Sequence, residues 1–195
     1  MKILKLFEEM LDEFDPYGNE HGERVSELSG KLAERNGISR YSLLYRDIIT
    51  GSKIHDIGKF KVPPPIRNLT RKYLEAEMEA MQKHPTYGAH FISVLINGDV
   101  SPIINERVVS FVLHHHQDWG GNGGYPLPQL KGEDIPIGAQ IIRIPDTYDA
   151  LTHERGYKHA LTPFEALKEM EAYQIETEFA NPTLLRLFLE MMRAR

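Results

Sequence analysis

Hydrophobic residues recur along most of the chain at spacings of three and four, the period of an amphipathic helix. The first stripe contains Ile3, Phe7 and Leu11 and ends at Asp15-Pro16. Similar stripes continue almost to the carboxyl terminus, so we predict an all-α helical bundle. The further helices predicted are 21–35, 41–55, 75–83, 85–97, 103–116 and 135–151, followed by two that begin at Thr162-Pro163 and Asn181-Pro182.

Proline, glycine and capping residues separate these helices. Thr162-Pro163-Phe164-Glu165 has the pattern of a capping box with proline at the first helical position. Pro63-Pro64-Pro65 predicts an extended loop. Residues 119–134 form one long irregular stretch with five glycines and two prolines. Because a loop of this length in a compact domain is usually functional, we expect it to lie near the site.

The composition limits the classes of protein. The 195 residues predict one domain, 1–195, in which a short N-terminal helix (1–14) precedes the core. The net charge of −5 argues against binding to duplex nucleic acid. The absence of cysteine excludes disulfides and zinc-thiolate sites. With neither a signal-peptide pattern nor an apolar run of transmembrane length, we predict a soluble cytoplasmic protein that does not associate with membranes.

His55 and Asp56 are the most informative residues of the chain. An imidazole beside a carboxylate can bind one metal and bridge to a second, and Lys59 follows one turn later, where it can meet phosphate oxygens. Such a pair alone could equally be a hydrogen-bonded core pair. The other histidines and Asp146 favour a metal centre that binds phosphate.

Helix periodicity indicates which of the other polar residues point inward. His21 lies on the same stripe as Val25, and Asp146 follows Ile142 by four. His115 and His116 continue an apolar stripe, and both can reach one cluster only if their helix ends there; His114 continues a polar face and is predicted to lie outside the ligand set. The isolated histidines His90, His153 and His159 are interpreted as non-ligands. The candidate metal ligands are His21, His55, Asp56, His84, His115, His116 and Asp146.

The order of these residues resembles the HD-GYP branch of the HD metal-dependent phosphohydrolases. The resemblance covers about residues 15–190, nearly the whole chain. The motifs that carry it are Asp15-Pro16-Tyr17, His55-Asp56-Ile57-Gly58-Lys59, Ile66-Arg67-Asn68, His84-Pro85, His115-His116, Gly124-Tyr125-Pro126, Asp146-Thr147-Tyr148-Asp149-Ala150-Leu151 and Arg155-Gly156-Tyr157-Lys158.

The resemblance implies a metal-dependent phosphodiesterase that opens cyclic dinucleotides, chiefly cyclic di-GMP to pGpG and in some members on to GMP. A hydroxide between two metals would be the nucleophile. The metals would be iron or manganese, with zinc as an alternative. One would be held by His21, His55, Asp56 and Asp146, and the other by Asp56, His84, His115 and His116.

The resemblance also implies roles outside the ligand set. Lys59 would approach the scissile phosphate or the hydroxide, and Arg155 and Lys158 would bind substrate phosphates. Members with a third metal carry glutamate where this chain has Tyr17, so we predict a dinuclear centre. The GYP tripeptide is expected to shape the loop rather than to take part in catalysis.

Several positions depart from the family pattern. Gln117 replaces a usual glutamate, Gln140 a common arginine and Pro145 a small residue, while Gly120-Gly121 replaces Asp-Gly in a loop one residue longer. None is a predicted ligand. Two alternatives to a phosphodiesterase therefore stay open: a non-catalytic module that binds a cyclic dinucleotide or a protein partner, and an HD-type enzyme with another substrate, such as a nucleotide monophosphate. Family members often carry a sensor domain before the core, and none fits before Asp15, so regulation is expected from a separate protein, from expression or from the rest of a longer chain.

Overall fold

The computed structural model describes residues 2–14, 18–97, 104–154 and 159–194. These residues contain ten α-helices and no β-strand, which confirms the all-α prediction. The helices are α1 (Lys2–Phe14), α2 (Gly18–Arg35), α3 (Leu43–Ile54), α4 (Pro64–Arg67), α5 (Glu75–Met81), α6 (His84–Asn97), α7 (Glu106–His114), α8 (Ile137–Thr152), α9 (Pro163–Thr177) and α10 (Pro182–Arg193). The single-domain organisation stays a prediction. None of the described helices combines the length and apolar composition that a membrane span requires.

Side-chain caps fix the start of several helices. Thr162 and Glu165 form the predicted capping box at α9, and the Asn181 side chain accepts from two backbone amides at the start of α10. Asn105 caps α7 in the same way, so this helix begins at Glu106, later than predicted. Each cap satisfies amides that the helix itself leaves unpaired.

The prediction of an extended loop over Pro63-Pro64-Pro65 is wrong in part. Only Pro63 is extended, and Pro64 and Pro65 form the first turn of α4. The fixed φ of proline suits the first turn, where a missing amide donor costs nothing. The predicted third helix, 41–55, also begins too early: Ser42 caps α3, so the observed helix begins at Leu43 and leaves Tyr41 out.

Two hydrophobic clusters form the interior. The larger one packs the inner faces of α2, α3, α8, α9 and α10, and it includes Leu32, Ile142 and Phe188. The smaller one joins α1, α6 and α7 to a 3-10 helix, Ile57–Lys61, through Phe7 and Ile92. The His55-Asp56 pair lies in the link between α3 and this 3-10 helix, flanked by Ile54 and Ile57 of the smaller cluster.

Two glycines allow the backbone to approach closely beside this pair. A Cβ atom at Gly22 would lie 2.5 Å from the carbonyl oxygen of Lys53, so glycine lets α2 pack directly on the end of α3. A Cβ atom at Gly58 would lie 1.9 Å from the carbonyl oxygen of His84. Glycine at both positions therefore brings His21 and His84 near the His55-Asp56 link.

Candidate metal centre

Five helices deliver the predicted ligands to one buried cluster. His21 comes from the first turns of α2, His55 and Asp56 follow the end of α3, and His84 begins α6. Helix α7 ends at His114, two residues before the predicted end, and His115 and His116 follow it directly, so the condition for both to reach one cluster is met. Asp146 comes from the middle of α8. All seven predicted ligands lie in this cluster, and they are buried except His116, which is partly buried.

Two groups of side chains have donor atoms close enough to hold a metal ion. The first donor group is His21, His55 and Asp56; the second donor group is Asp56, His84, His115 and His116. Within each group one atom per residue lies within 4.8 Å of every other. Asp146 adjoins the first donor group, with its Oδ1 atom 3.2 Å from His21 Nε2.

Asp56 belongs to both groups through different oxygens. Its Oδ1 atom lies 3.1 Å from His84 Nε2, and its Oδ2 atom lies 3.6 Å from the Nε2 atoms of both His21 and His55. Burial raises the pKa of Asp56, but Lys59 and the neighbouring histidines outweigh it and hold the pKa well below its usual range. An ionised carboxylate thus faces both donor groups.

Hydrogen bonds fix the orientation of four imidazole rings. The Nδ1 atoms of His55, His84 and His115 donate to the backbone oxygens of the residues three positions earlier, at 2.7, 2.9 and 2.7 Å. His21 Nδ1 lies 2.7 Å from the carboxylate of Asp149. Carbonyl and carboxylate oxygens only accept, so each Nδ1 carries a proton and each neutral ring presents a bare Nε2 to the cluster.

The bare nitrogens face one another in pairs. The Nε2 atoms of His21 and His55 lie 3.2 Å apart, and those of His84 and His115 lie 3.3 Å apart. Two lone pairs at this distance repel unless a cation lies between or beside them. The cluster therefore fits metal ions, and imidazole with carboxylate ligation suits iron, manganese or zinc.

The pKa shifts of His21 and His115, one from each pair, also favour metal binding. Burial lowers the pKa of His21, but its contacts with Asp146 and Asp149 outweigh burial and raise the pKa to about 9. A cation, whether a proton or a metal ion, is thus favoured at His21. Burial and the adjacent histidines hold the pKa of His115 well below its usual value, so His115 stays neutral and able to bind a metal.

Asp149 lies within the motif 146–151 that carries the resemblance, but its role in the site was not predicted. Its carboxylate accepts from His21 Nδ1 and from Arg24, whose Nε and Nη2 atoms lie at 2.6 and 3.0 Å. Asp149 follows Asp146 by three, and residues at this spacing share a helix face, so the spacing alone could have indicated it.

Lys59 lies against the shared carboxylate. Its Nζ atom is 2.6 Å from Asp56 Oδ2, and its side chain is 15% exposed. The 3-10 helix that follows Asp56 produces this contact, because it returns the residue three positions later to the same side. An ammonium group at the edge of the cluster can meet an anionic ligand.

His116 has different partners from the other four histidines. Its Nδ1 atom lies 3.1 Å from Arg143 Nη1, and Arg143 Nη2 donates to Asp118 at 2.7 Å. The ring of Tyr125 lies on His116, with the centroids 4.5 Å apart. Neither Asp118 nor Arg143 was predicted, and no local pattern in the sequence indicates their pairing.

The glycine-rich loop packs beside His116 and is held by the amide of Gln117. Gln117 Nε2 donates to the carbonyl of Pro126 at 2.6 Å, and Gln117 Oε1 accepts from the amide of Leu130 at 2.9 Å. The usual glutamate could accept here but could not donate. The loop thus lies beside the site, as expected, and glutamine suits its two contacts.

The remaining predictions divide between described and undescribed residues. His114 belongs to neither donor group, and His90, His153 and His159 are exposed. Tyr17, Arg155 and Lys158 lie outside the described residues. The phosphate-binding pair and the dinuclear argument from Tyr17 therefore stay predictions.

Known proteins share both the sequence pattern and the fold. A family model described as HD domain matches residues 5–179. A cyclic di-GMP phosphodiesterase of Thermotoga maritima is 33% identical over 93% of this chain and 47% of its own length. A 3'3'-cGAMP-specific phosphodiesterase 2 of Vibrio cholerae is 32% identical over 87% of this chain and 30% of its own length. The chain thus spans less than half the length of either relative.

A solved structure extends the likeness to three dimensions. An HDG"Y"P protein of Bdellovibrio bacteriovorus has a TM-score of 0.70 at 18% identity, over 90% of this chain and 52% of that chain. At this identity the likeness shows the fold. The family match covers most of the chain, and the histidines and aspartates of the candidate centre lie within it. The chain belongs to the HD domain family.

Proposed function

We propose that this protein is a metal-dependent phosphodiesterase of the HD-GYP type that hydrolyses cyclic dinucleotides. The observation that carries the proposal is the pair of donor groups joined by Asp56. Two relatives named as cyclic di-GMP and 3'3'-cGAMP phosphodiesterases support the class of substrate.

The proposed ligands follow the two donor groups. His21, His55, Asp56 and Asp146 would hold one divalent metal, and Asp56, His84, His115 and His116 the other, with iron or manganese preferred and zinc as an alternative. When bound, two such ions supply Lewis-acid activation of water and charge stabilisation at the phosphodiester. The Nδ1–H bonds of His55, His84 and His115 to backbone carbonyls keep three of these rings oriented for that role.

Lys59 and the pair Arg155 and Lys158 are the proposed substrate-binding residues. Lys59 Nζ, held against Asp56, is suited to bind a phosphate oxygen and to offset charge that develops during hydrolysis. Arg155 and Lys158 are three positions apart and would contact the phosphates by charge-assisted hydrogen bonds.

The deciding experiment is turnover of cyclic di-GMP, with 3',3'-cyclic GMP-AMP in parallel, by protein loaded anaerobically with Fe(II) or Mn(II). We expect hydrolysis, and we expect Asp56→Ala to abolish it and to lower the metal content, because the variant loses the carboxylate shared by both donor groups. Glu79→Ala, an exposed acidic position on α5, is the matched control and should keep full activity.

The products and the failures are both informative. Chromatography separates pGpG from GMP and identifies the end product. Normal turnover in Asp56→Ala would contradict the site assignment. Binding without turnover of either dinucleotide by fully metallated protein would instead favour a non-catalytic binding module, and turnover of another nucleotide would favour a different HD-type reaction.

A further inference from the structure

Arg143 differs from the other partners of the site histidines because it is a cation. His21, His55, His84 and His115 all donate from Nδ1 to an oxygen. Arg143 has only N–H donors and no acceptor, so His116 Nδ1 must accept from it. A neutral His116 then carries its proton on Nε2, which is the opposite tautomer to the other four rings.

The surroundings hold Arg143 in this position. Its side chain is 13% exposed, its Nη2 donates to the buried Asp118, and its guanidinium lies 5.6 Å from the ring centre of Phe179. An arginine with a buried carboxylate on one side and an aromatic ring beneath it has little freedom to turn away. The contact with His116 is therefore a built feature of the site.

We propose that Arg143 is a positioning residue that holds His116 in this tautomer and thereby weakens the second donor group's affinity for its metal ion. The inference rests on the proposed metal centre. If His116 binds through Nδ1, Arg143 competes for the same lone pair. If His116 binds through Nε2, Arg143 disfavours the Nδ1–H tautomer that this mode needs. Both geometries give the same direction of effect.

The consequence is unequal filling of the two metal positions. Among the described residues, no arginine contacts a ligand nitrogen of the first donor group: Arg24 reaches this group only through Asp149. We therefore expect the first ion to bind more tightly than the second. Because hydrolysis would need both, the concentration of available metal would control how much of the protein is active.

The test is Mn(II) titration of chelator-stripped protein, with the stoichiometry counted by metal analysis. The variant is Arg143→Met combined with Asp118→Asn, because Arg143→Met alone would leave the Asp118 carboxylate buried without its partner. We expect the weaker of the two sites to gain about tenfold or more in affinity, the range typical for partners of ligand histidines, and the tighter site to stay unchanged.

Two controls separate this effect from general loosening. Arg107→Met breaks another arginine–aspartate pair, with the buried Asp47, and should leave both metal affinities as they are. Adding His116→Ala to the double variant should abolish the gain. In stripped protein, long-range ¹H–¹⁵N spectra of the imidazole rings should place the His116 proton on Nε2, and the double variant should move it towards Nδ1.

The outcomes distinguish the two proposals. Two bound ions whose affinities are unchanged, or a weaker second site, in the folded double variant would overturn the role of Arg143 alone. A His116 proton on Nδ1 in the unaltered protein would do the same. Failure of the unaltered protein to bind metal would overturn the proposed centre itself.

Discussion

Different kinds of contact hold the histidine cluster and the neighbouring glycine-rich loop in place. The loop is taken here as residues 117–131, which include Gln117 and its two partners. In the cluster, three rings are fixed by hydrogen bonds to backbone oxygens only three residues earlier. In the loop, Gln117 reaches Pro126 and Leu130, nine and thirteen residues away. These three rings are thus oriented by contacts within a single turn of the chain, whereas the loop is held by contacts between residues that are distant in the sequence.

Because their contacts differ, the histidine cluster and the loop can vary independently in sequence. Local hydrogen bonds orient the rings of His55, His84 and His115 without contacts from the loop, so the loop sequence can change without disturbing these three ligands. Gln117 and Gly120-Gly121 depart from the family pattern within the loop, and all seven candidate ligands are retained. Substitutions in the histidine cluster should therefore change metal affinity, and substitutions in the loop should change the stability of the loop.

The largest expected effect comes from His21, a ligand ring that is held by a distant carboxylate. Asp149→Asn removes the negative charge that His21 Nδ1 and Arg24 share. We expect metal affinity at the first donor group to fall by about 10- to 100-fold, as is typical when a carboxylate partner of a ligand histidine is lost. Metal titration measures this loss. Asp47→Asn, at a buried aspartate with two arginine partners elsewhere, should lose stability but keep its metal affinity.

The same substitution should change the response to acid. Burial raises the pKa of Asp149, but His21 and Arg24 outweigh it and lower the pKa from 3.8 to about 2. The carboxylate therefore stabilises the folded protein above pH 4, and this stabilisation is lost as the pH falls towards 2. We would measure the free energy of unfolding of metal-stripped protein by denaturant above pH 4 and near pH 2. This free energy should fall less between the two pH values in Asp149→Asn than in the unaltered protein. An identical fall in both proteins would contradict the assignment.

An intermediate effect is expected in the loop, from a substitution of Gln117. Gln117→Met keeps the size of the side chain but leaves the Pro126 carbonyl and the Leu130 amide unpaired. Both contacts are part-buried, so we expect a cost of about 1 kcal/mol for each, the low end of the range for a buried group. We expect faster hydrogen exchange at Leu130 and faster proteolysis of the loop, with metal affinity at the first donor group unchanged. Gln129→Met is the control within the same loop, since Gln129 makes one long contact of 3.5 Å to Gly124. A fall in first-group affinity in Gln117→Met would show that the two regions are coupled.

The smallest effect should come from a residue remote from both regions. Thr162→Ala removes the side chain that caps α9, and the loss of such a cap costs about 1 kcal/mol of stability. Denaturant unfolding should detect this loss, and metal affinity and loop exchange should stay the same. Thr183→Ala, an exposed position in the first turn of α10, provides the comparison without a cap. Altered metal binding in Thr162→Ala would mean that α9 helps to position the site.

What the sequence could predict follows the same division. The inward direction of His21 followed from its stripe with Val25. The predicted helix 103–116 was too long, but the condition that it must end for His115 and His116 to reach one cluster is met, because α7 ends at His114. Both inferences depend only on the helical period, which can be read from the sequence of a single helix. Whether they bind metal stays a prediction that the titrations would decide.

The residues that escaped prediction depend on contacts between distant segments. Arg143 and Asp118 are 25 positions apart and meet only because α8 packs beside the loop. Gln117 could be recognised as a departure, but its partners could not, because an amide can pair with almost any backbone group. Pro64 and Pro65 show a different failure: proline suits both a loop and a first helical turn, and the choice depends on the packing that follows.

The close approach at Gly58 has a consequence for any attempt to resize the site. The two donor groups meet at Asp56, and the path from Asp56 to α6 passes through a backbone contact in which a Cβ would fall 1.9 Å from the oxygen of His84 and 2.4 Å from the amide of Gly88. A methyl group at position 58 would push His84 away from Asp56 while leaving all seven candidate ligands in the sequence. The spacing between the two donor groups therefore depends on a residue without a side chain, and a survey of ligand residues alone would count such a disabled protein as intact.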